Sequence, residues 1–552
     1  MNHSQHAFFL TASGRALSAT CFLPTTVRGA VLFIPPFIEE RKGALPVFVL
    51  AARALAEQNI ASLLFDFSGC GDSEGAFEKT PPEFLEADCE AAWGWLRKTF
   101  PSAPCACLGV RTGALLAARL AARHAEVSAV VAWAPVTGPD FLRQLLQRHM
   151  VNDMVAYGKA QESRASLEAR LQQGEAVDLD GYTVSGTFYA WLQNLAPLPA
   201  NVPVCVCSGG HDAKAASACA GQAPDSEAFS LRYPPFWNTV GHVDLSALVA
   251  ETTRWLVQRL AGVPVPVPGL PPLIAECPSA ELLSPESSTA LRMTANLPAG
   301  IPKAGALFLH GWSGDRTGPH RLFTRFARLL AQNGYFCLRP DFTGRGLSDG
   351  IAADASIARM ADDAQAALDT LRKRLLPNTP IVVIAICSGC KVAITLAARN
   401  PDVSKLLLWS AESMGDLRSS ATGVRKTADM LATYARKLLR PETWKKILSG
   451  KVQTGLVTQA LVKQETRSAA EAEWENGVLK QFQTFRHPVC FVFGGSDPDA
   501  PGSRGAYARY CGKNGIPNEV YTVAHAGHSY YGEGWTQELC NVSRKFLAGN
   551  RA

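Results

Sequence analysis

The sequence predicts an α/β protein of two tandem domains, each a mostly parallel, doubly wound sheet with a helical cap inserted between strands. Three observations predict it. The chain has 552 residues, and at roughly 150 residues per domain that length asks for about two to four units. Two distant segments of the chain repeat each other, the signature of a duplicated unit. Within each half short apolar runs alternate with helical patterns, as expected of strands buried on both faces and joined by crossover helices. The composition agrees: 47% hydrophobic and 18% charged residues at a mean hydropathy of +0.02 exclude wholesale disorder and fibrous repeats.

The repeat holds register over long stretches. LFIPPFIEERKG, from Leu32, matches LFLHGWSGDRTG, from Leu307, at an offset of 275 residues. The same offset carries RALAEQNIASLLFDFSGCGDSEG (Arg53 to Gly75) onto RLLAQNGYFCLRPDFTGRGLSDG (Arg328 to Gly350). GVRTGALLAARLAARH, from Gly109, matches AICSGCKVAITLAARN, from Ala385, and two later matches set Asp212 opposite Asp497 and His242 opposite His528. The seam falls in VPVPVPGLPP (Val263 to Pro272), whose alternating prolines favour an extended, semi-rigid spacer. The domains are therefore expected at 1–268 and 269–552.

In the first half GAVLFIPP, IASLLFDF, PCACLGV, VSAVVAWAP and VPVCVCSGG read as buried strands. VFVLAARALAEQN, FLEADCEAAWGWLRKTF and ALLAARLAARH read as the helices between them. Insertions at about 138–200 and 411–485 fall between consecutive strands and look mainly helical. They are long enough to cap a site at the carboxyl ends of the strands, where open α/β sheets bind ligands.

The second half carries the pieces of an acyl-transfer site. PIVVIAICSGCKVAITLAARNP is a strand, a tight turn and a helix, with Ala385-Ile386-Cys387-Ser388-Gly389 at the turn. Small residues flanking a central nucleophile suit a strained elbow in which strand and helix pass closely and the central side chain stands exposed at the helix N-terminus. That residue is Cys387, whose thiolate the helix dipole and a neighbouring imidazole favour. PVCFVFGGSDPD ends a later strand and offers Asp497 at the sheet rim; VYTVAHAGHSYYG follows and offers His528 as general base. His525 competes, but only His528 has a counterpart in the first half. FLHGWSGD ends a strand in His310-Gly311, which assigns the backbone N–H groups of Trp312 and Ser388 to the oxyanion and gives His310 the ordering of the loop. Ser388 as nucleophile is the rival register, and it sets Ile386 where a small residue is wanted.

In the first half Arg111 stands where Cys387 stands, and Pro35-Pro36 stand where His310-Gly311 stand. A guanidinium cannot attack an acyl group, so Asp212 and His242 have nothing to activate. Glu39 and Glu40, in the loop facing the elbow, are the expected partners of Arg111, which closes the old site. The alternative is a pocket in which Arg111 grips a carboxylate or phosphate.

Charge and cysteine usage bound the partners. The 54 basic and 48 acidic residues, net +6, are spread along the chain and make no case for nucleic acid. Locally, Arg425 to Lys451 holds eight basic residues against Asp429 and Glu442. That bias fits a solvated helix face or an acidic acyl donor, such as an acyl group on coenzyme A or on an acidic carrier protein. The sequence has no long uncharged stretch and begins MNHSQHAFFLTASGR, so neither a membrane span nor a signal peptide is expected and the cytoplasm is the expected location. The 15 cysteines read as small buried hydrophobes. The pairs Cys105/Cys107 and Cys387/Cys390 lack the pattern of a zinc site, so no metal or cofactor is expected.

With these residues in view, both halves resemble α/β-hydrolases of the serine-aminopeptidase type. The second half is similar to the exosortase A system-associated hydrolases of the first type, through GALFLHGWSGDRTGPHR, DFTGRGLSDG, the Cys387 elbow and TYARKLLRPETWKKILSG. The first half is similar to those of the second type, through GAVLFIPPFIEER, DFSGCGDSEG, GVRTGALLAA, DLDGYT and YPPFW. The resemblance implies a cytoplasmic role linked to exopolysaccharide production and the sorting of envelope proteins, and supplies no substrate. The second elbow departs from the family in Ala385 and Ser388, where a glycine and an acidic residue are usual. A Cys-His-Asp triad is also similar to the site of dienelactone hydrolases. The expected activity is hydrolysis of an ester or thioester at Cys387, with acyl transfer from the same cysteine and a non-catalytic binding scaffold as the rivals.

Overall fold

The computed structural model describes residues 3–195, 202–209, 225–231, 233–239, 243–267, 277, 279–283, 291–352, 355–418 and 469–549. The expected seam at residue 268, Asp212, His242 and the basic stretch Arg425 to Lys451 lie outside them.

Two eight-stranded sheets divide the chain. The first comprises β1 (His3–Ala12), β2 (Arg15–Pro24), β3 (Gly29–Ile34), β4 (Ile60–Phe65), β5 (Cys105–Val110), β6 (Val127–Trp133), β7 (Val204–Ser208) and β8 (Glu227–Ser230). The second comprises β9 (Ala280–Leu283), β10 (Met293–Asn296), β11 (Ala304–Leu309), β12 (Tyr335–Pro340), β13 (Ile381–Ile386), β14 (Val403–Trp409), β15 (Val489–Gly494) and β16 (Asn518–Val523). Both run in the order first, second, fourth, third, fifth, sixth, seventh, eighth. In each the first two strands pair antiparallel, the second pairs antiparallel with the fourth, and the remaining pairs are parallel. Even the register irregularity recurs, between Cys105 and Ala106 in β5 and between Ile381 and Val382 in β13.

The apolar runs become strands because both faces of each sheet are covered. Leu32 and Ile34 of β3 join one core and Val31 and Phe33 the other; Leu307 and Leu309 of β11 divide from Ala306 and Phe308 in the same way. Polar anchors repeat as well. The Trp133 indole donates to Thr252 at 2.9 Å and the Trp409 indole to Ser543 at 3.1 Å. Asp88 accepts the Ser68 N–H at 2.7 Å, as Asp363 accepts that of Thr343 at 2.8 Å.

Three local features differ from the sequence reading. The hairpin β1–β2 was not anticipated, because an edge hairpin of mixed polarity carries a weak signal. Helix α1 (Glu40–Ala56) begins before Pro46 and runs through it, although an interior proline removes a hydrogen bond to the carbonyl four residues back and reads as a helix boundary. The first insertion is α4 (Gly138–Tyr157), α5 (Arg164–Gln172) and α6 (Gly186–Gln193), following α2 (Glu83–Thr99) and α3 (Thr112–Arg123). It also contains a short hairpin, Val177–Leu179 with Tyr182–Val184. Of the second insertion the described parts are the turn Gly415–Arg418 and a helix, Ala469–Phe482. Among the described residues no helix is long and apolar enough to cross a membrane.

The two halves meet reciprocally, as a two-fold interface does. Arg53 donates to the carbonyls of Ser348 and Gly350, while its counterpart Arg328 donates to those of Ser73 and Gly75. Arg41 bonds Asp66 within its own half and reaches Asp315 in the other at 2.9 Å. Arg316 bonds Asp341 within its half and reaches Asp72 at 2.7 Å, where Arg339 also bonds. These groups are buried, so the interface is a paired charge network that neither half satisfies alone.

Candidate active site

The elbow follows from strand β13 stopping against helix Gly389–Arg399. Cys387 sits at φ +59°, a strained conformation for a residue with a Cβ, and its N–H is tied to Trp409 O at 3.0 Å. Gly389 leaves no room for a side chain, since a Cβ there would come within 2.4 Å of Leu309 O. Gly311 is closely packed as well: a Cβ on it would lie 3.0 Å from Cys387 Cβ and 3.2 Å from its Sγ, so the cysteine would have to give way. The His310-Gly311 turn therefore lies directly against the sulfur.

The structure brings Asp497 and His528 together and both to Cys387. His528 Nδ1 lies 2.8 Å from Asp497 Oδ2, and the Cys387 side chain is near enough to the imidazole to act on its charge. Burial opposes charge on His528, but the hydrogen bond to Asp497 and the neighbouring Cys387 outweigh it and raise its pKa, which makes the ring a stronger base. The loop is anchored underneath: Ser410 Oγ donates to His528 O at 2.8 Å, and Tyr530 OH donates to Val492 O at 2.8 Å. His525 turns away and packs on Tyr157 of the first half, with ring centroids 5.0 Å apart.

His310 is buried, and burial lowers its pKa. The Phe342 N–H donates to its Nε2 at 3.3 Å and its Nδ1 lies 2.8 Å from Gly311 O. That pattern fits a neutral ring ordering the loop. The Trp312 N–H, assigned from sequence to the oxyanion, donates at 2.7 Å to Ser388 Oγ. In this structure the Ser388 hydroxyl therefore occupies the N–H that the sequence assigned to the oxyanion.

Sequence reasoning missed Glu412. It follows β14, and its Oε1 accepts from Cys387 Sγ at 3.1 Å. Burial opposes its charge, yet Lys391, 3.2 Å away, and the Cys387 hydrogen bond hold its carboxyl below the usual range. The available signal was the repeat itself, which sets Glu412 opposite the apolar Val136.

In the first half Arg111 keeps the elbow conformation, φ +56°, with its N–H on Trp133 O at 2.9 Å. Its guanidinium is 2% exposed. It bonds both oxygens of Glu40 at 3.1 and 3.2 Å, bonds Gln144, and lies 4.4 Å from the Trp237 ring centroid. Glu39 does not join it. The two glutamates were expected as a pair, but consecutive residues at the start of a helix diverge, and Glu39 faces the other half.

An α/β-hydrolase family model matches residues 306–541, and the serine aminopeptidase (S33) family model matches residues 27–196. No curated protein matches the chain. Among solved structures the chain is similar to Est1E from Butyrivibrio proteoclasticus with ferulic acid bound, at 16% identity over 48% of this chain and 98% of that one, TM-score 0.33. It is similar to α/β-hydrolase domain-containing protein 10 from mouse, at 16% identity over 49% and 99%, TM-score 0.33. It is also similar to a thioesterase domain from the curacin biosynthetic pathway, at 14% identity over 48% and 98%, TM-score 0.32. With both sheets in the same strand order and a hydrolase model on each half, the chain consists of two α/β-hydrolase-fold domains in tandem.

Proposed function

We propose that the second half hydrolyses an ester or thioester through Cys387, His528 and Asp497, while the first half has lost that chemistry. The observation that carries the reading is the imidazole of His528, 2.8 Å from Asp497 and beside a cysteine held at a positive-φ elbow. His528 takes the thiol proton, and the thiolate attacks the acyl carbon. The oxyanion forms against the N–H groups of Ser388 and Trp312, the Ser388 hydroxyl having rotated off the latter. The carbon–leaving-group bond breaks and the leaving group takes the proton from His528. Water then gives a proton to His528 and its oxygen to the acyl carbon, which releases the acid and returns the thiol.

The acyl donor fits the basic stretch between Arg425 and Lys451: an acyl group on coenzyme A or an acidic carrier protein. The resemblance to exosortase-associated hydrolases links the reaction to exopolysaccharide and envelope assembly in the cytoplasm. Labelling by a thiol-reactive acyl probe tests the reading. Wild type is expected to label at Cys387, Cys387→Ala to lose the label, and His528→Ala to slow it about 100-fold or more. Equal labelling of all three favours a binding scaffold. Because the acyl-enzyme is a thioester, a product assay with and without a sugar or amine acceptor separates hydrolysis from acyl transfer.

A further inference from the structure

Loops that carry catalytic groups have to be held to within about half an ångström. The loop Ala524 to Gly532 is braced underneath by its own half, through Ser410 and Tyr530. Its outer side is braced by the first half. Glu39 Oε1 accepts from Tyr531 OH at 2.9 Å, and Tyr531 lies three residues after His528. Glu39 Oε2 accepts from Tyr182 OH at 2.9 Å and from the His320 N–H at 3.0 Å. The His320 ring packs on Tyr531 at 5.2 Å, and its Nε2 lies 3.2 Å from Ser529 O, next to His528. Burial holds that ring's pKa down at about 3, so it is neutral and its Nε2–H donates. The acid loop is tied down too, since Ser496, which precedes Asp497, donates to Ala156 O of the first half at 2.9 Å.

We infer that Glu39 of the first half is a positioning residue for His528, acting through Tyr531 and His320; the inference rests on the reading of Cys387 and His528 as a catalytic pair. Glu40 neutralises Arg111, which leaves Glu39 to face the other half. The bracing runs one way, because the counterpart of Glu39 in the second half is Gly314, which has no side chain to return the contact. The degenerate elbow thereby becomes the footing of the working one. Around Glu39 the charged groups are Lys42, 3.9 Å away, and Arg148; around His528 they are Asp497, Cys387 and Glu412.

The test uses the full chain and needs no substrate. The rate of iodoacetamide alkylation at Cys387 is followed against pH by the mass of its peptide, alongside Tm. Tyr531→Phe removes the hydroxyl that Glu39 grips and keeps the ring; Tyr182→Phe removes the other hydroxyl on the same carboxylate. Tyr531→Phe and Glu39→Ala are expected to slow alkylation near neutral pH about tenfold and to move the reactive limb to higher pH, because a loosened imidazolium stabilises the thiolate less. Tyr182→Phe is expected to leave the profile unchanged. A Tyr531→Phe profile equal to wild type, or a Tyr182→Phe shift as large as that of Tyr531→Phe, overturns the positioning role while leaving the catalytic pair intact. A wild-type profile with no reactive limb below the ordinary thiol range overturns the catalytic pair, and this inference with it.

Discussion

The elbow at Arg111 and the elbow at Cys387 share their backbone turn and differ in the side chain it presents, a guanidinium in one and a thiol in the other. Both hold a side-chain-bearing residue at a positive φ near +57° and tie its N–H to the adjacent strand. Both are followed by a glycine, Gly113 or Gly389, whose Cβ would strike a carbonyl oxygen within 2.3 or 2.4 Å. Strain of this kind is usually explained by catalysis, yet the first half keeps it around a residue that cannot react. The packing of strand on helix therefore preserves the elbow, and the reactive atom is a separate variable. The first half has spent its freed surface on Glu40, which neutralises Arg111, and on Glu39, which grips the other half.

Changing the elbows toward each other measures how separate those variables are. The largest effect is expected for Cys387→Arg, which makes the second elbow a copy of the first: turnover of a thioester falls about 10⁴-fold or more while Tm holds. A collapse of Tm would mean that the elbow sequence and the fold are coupled after all. Arg111→Ala leaves Glu40, 3% exposed, without its partner and is expected to cost about 3–5 kcal/mol in urea unfolding. Arg111→Cys is expected to gain no acyl labelling, because Pro35-Pro36 replace the turn that lies against the sulfur in the second half.

The interface offers the next step down. Burial opposes the charge on Asp72, but Arg339 and Arg316 hold its carboxyl well below the usual range. A depressed carboxylate adds stability above its unfolded pKa of about 4 and loses it as pH falls below that. Asp72→Asn is expected to lower stability by about 3 kcal/mol at pH 7 and to flatten the acid limb of a Tm-against-pH curve. Its counterpart Leu347 carries no charge, but Asp315, bonded by Arg41 of the first half, is held low as well, so part of the acid limb remains in Asp72→Asn. The smallest effect is expected for Glu412→Val, which copies Val136. Losing a hydrogen bond to a charged group, worth about 1.5 kcal/mol, changes the acylation rate roughly tenfold in a stopped-flow burst, with Tm little altered because Lys391 keeps Glu475 at 3.5 Å.

Much of the scaffold was legible because buried strands and crossover helices write their pattern locally. VSAVVAWAP and IASLLFDF are strands within a residue or two of their apolar limits, and the gapless repeat announced two copies of one unit. The elbow was legible for the same reason: strand, small residues and helix lie within a dozen positions. Glu412 was not, since it sits 25 residues from Cys387 on another strand end. The division of labour between Glu39 and Glu40 was equally hidden, because adjacent residues on a helix point to different neighbours.

By itself the sequence determined the duplicated α/β architecture, the position of the cysteine elbow and the arginine that stands at the matching elbow of the first copy, because each depends on residues close together in the chain or on register between copies. Only the tertiary structure decided what the lost site turned into. Arg41, Arg316 and Glu39 find partners more than 240 positions away, and such pairings depend on how two finished domains dock, a geometry that neither half's own periodicity encodes.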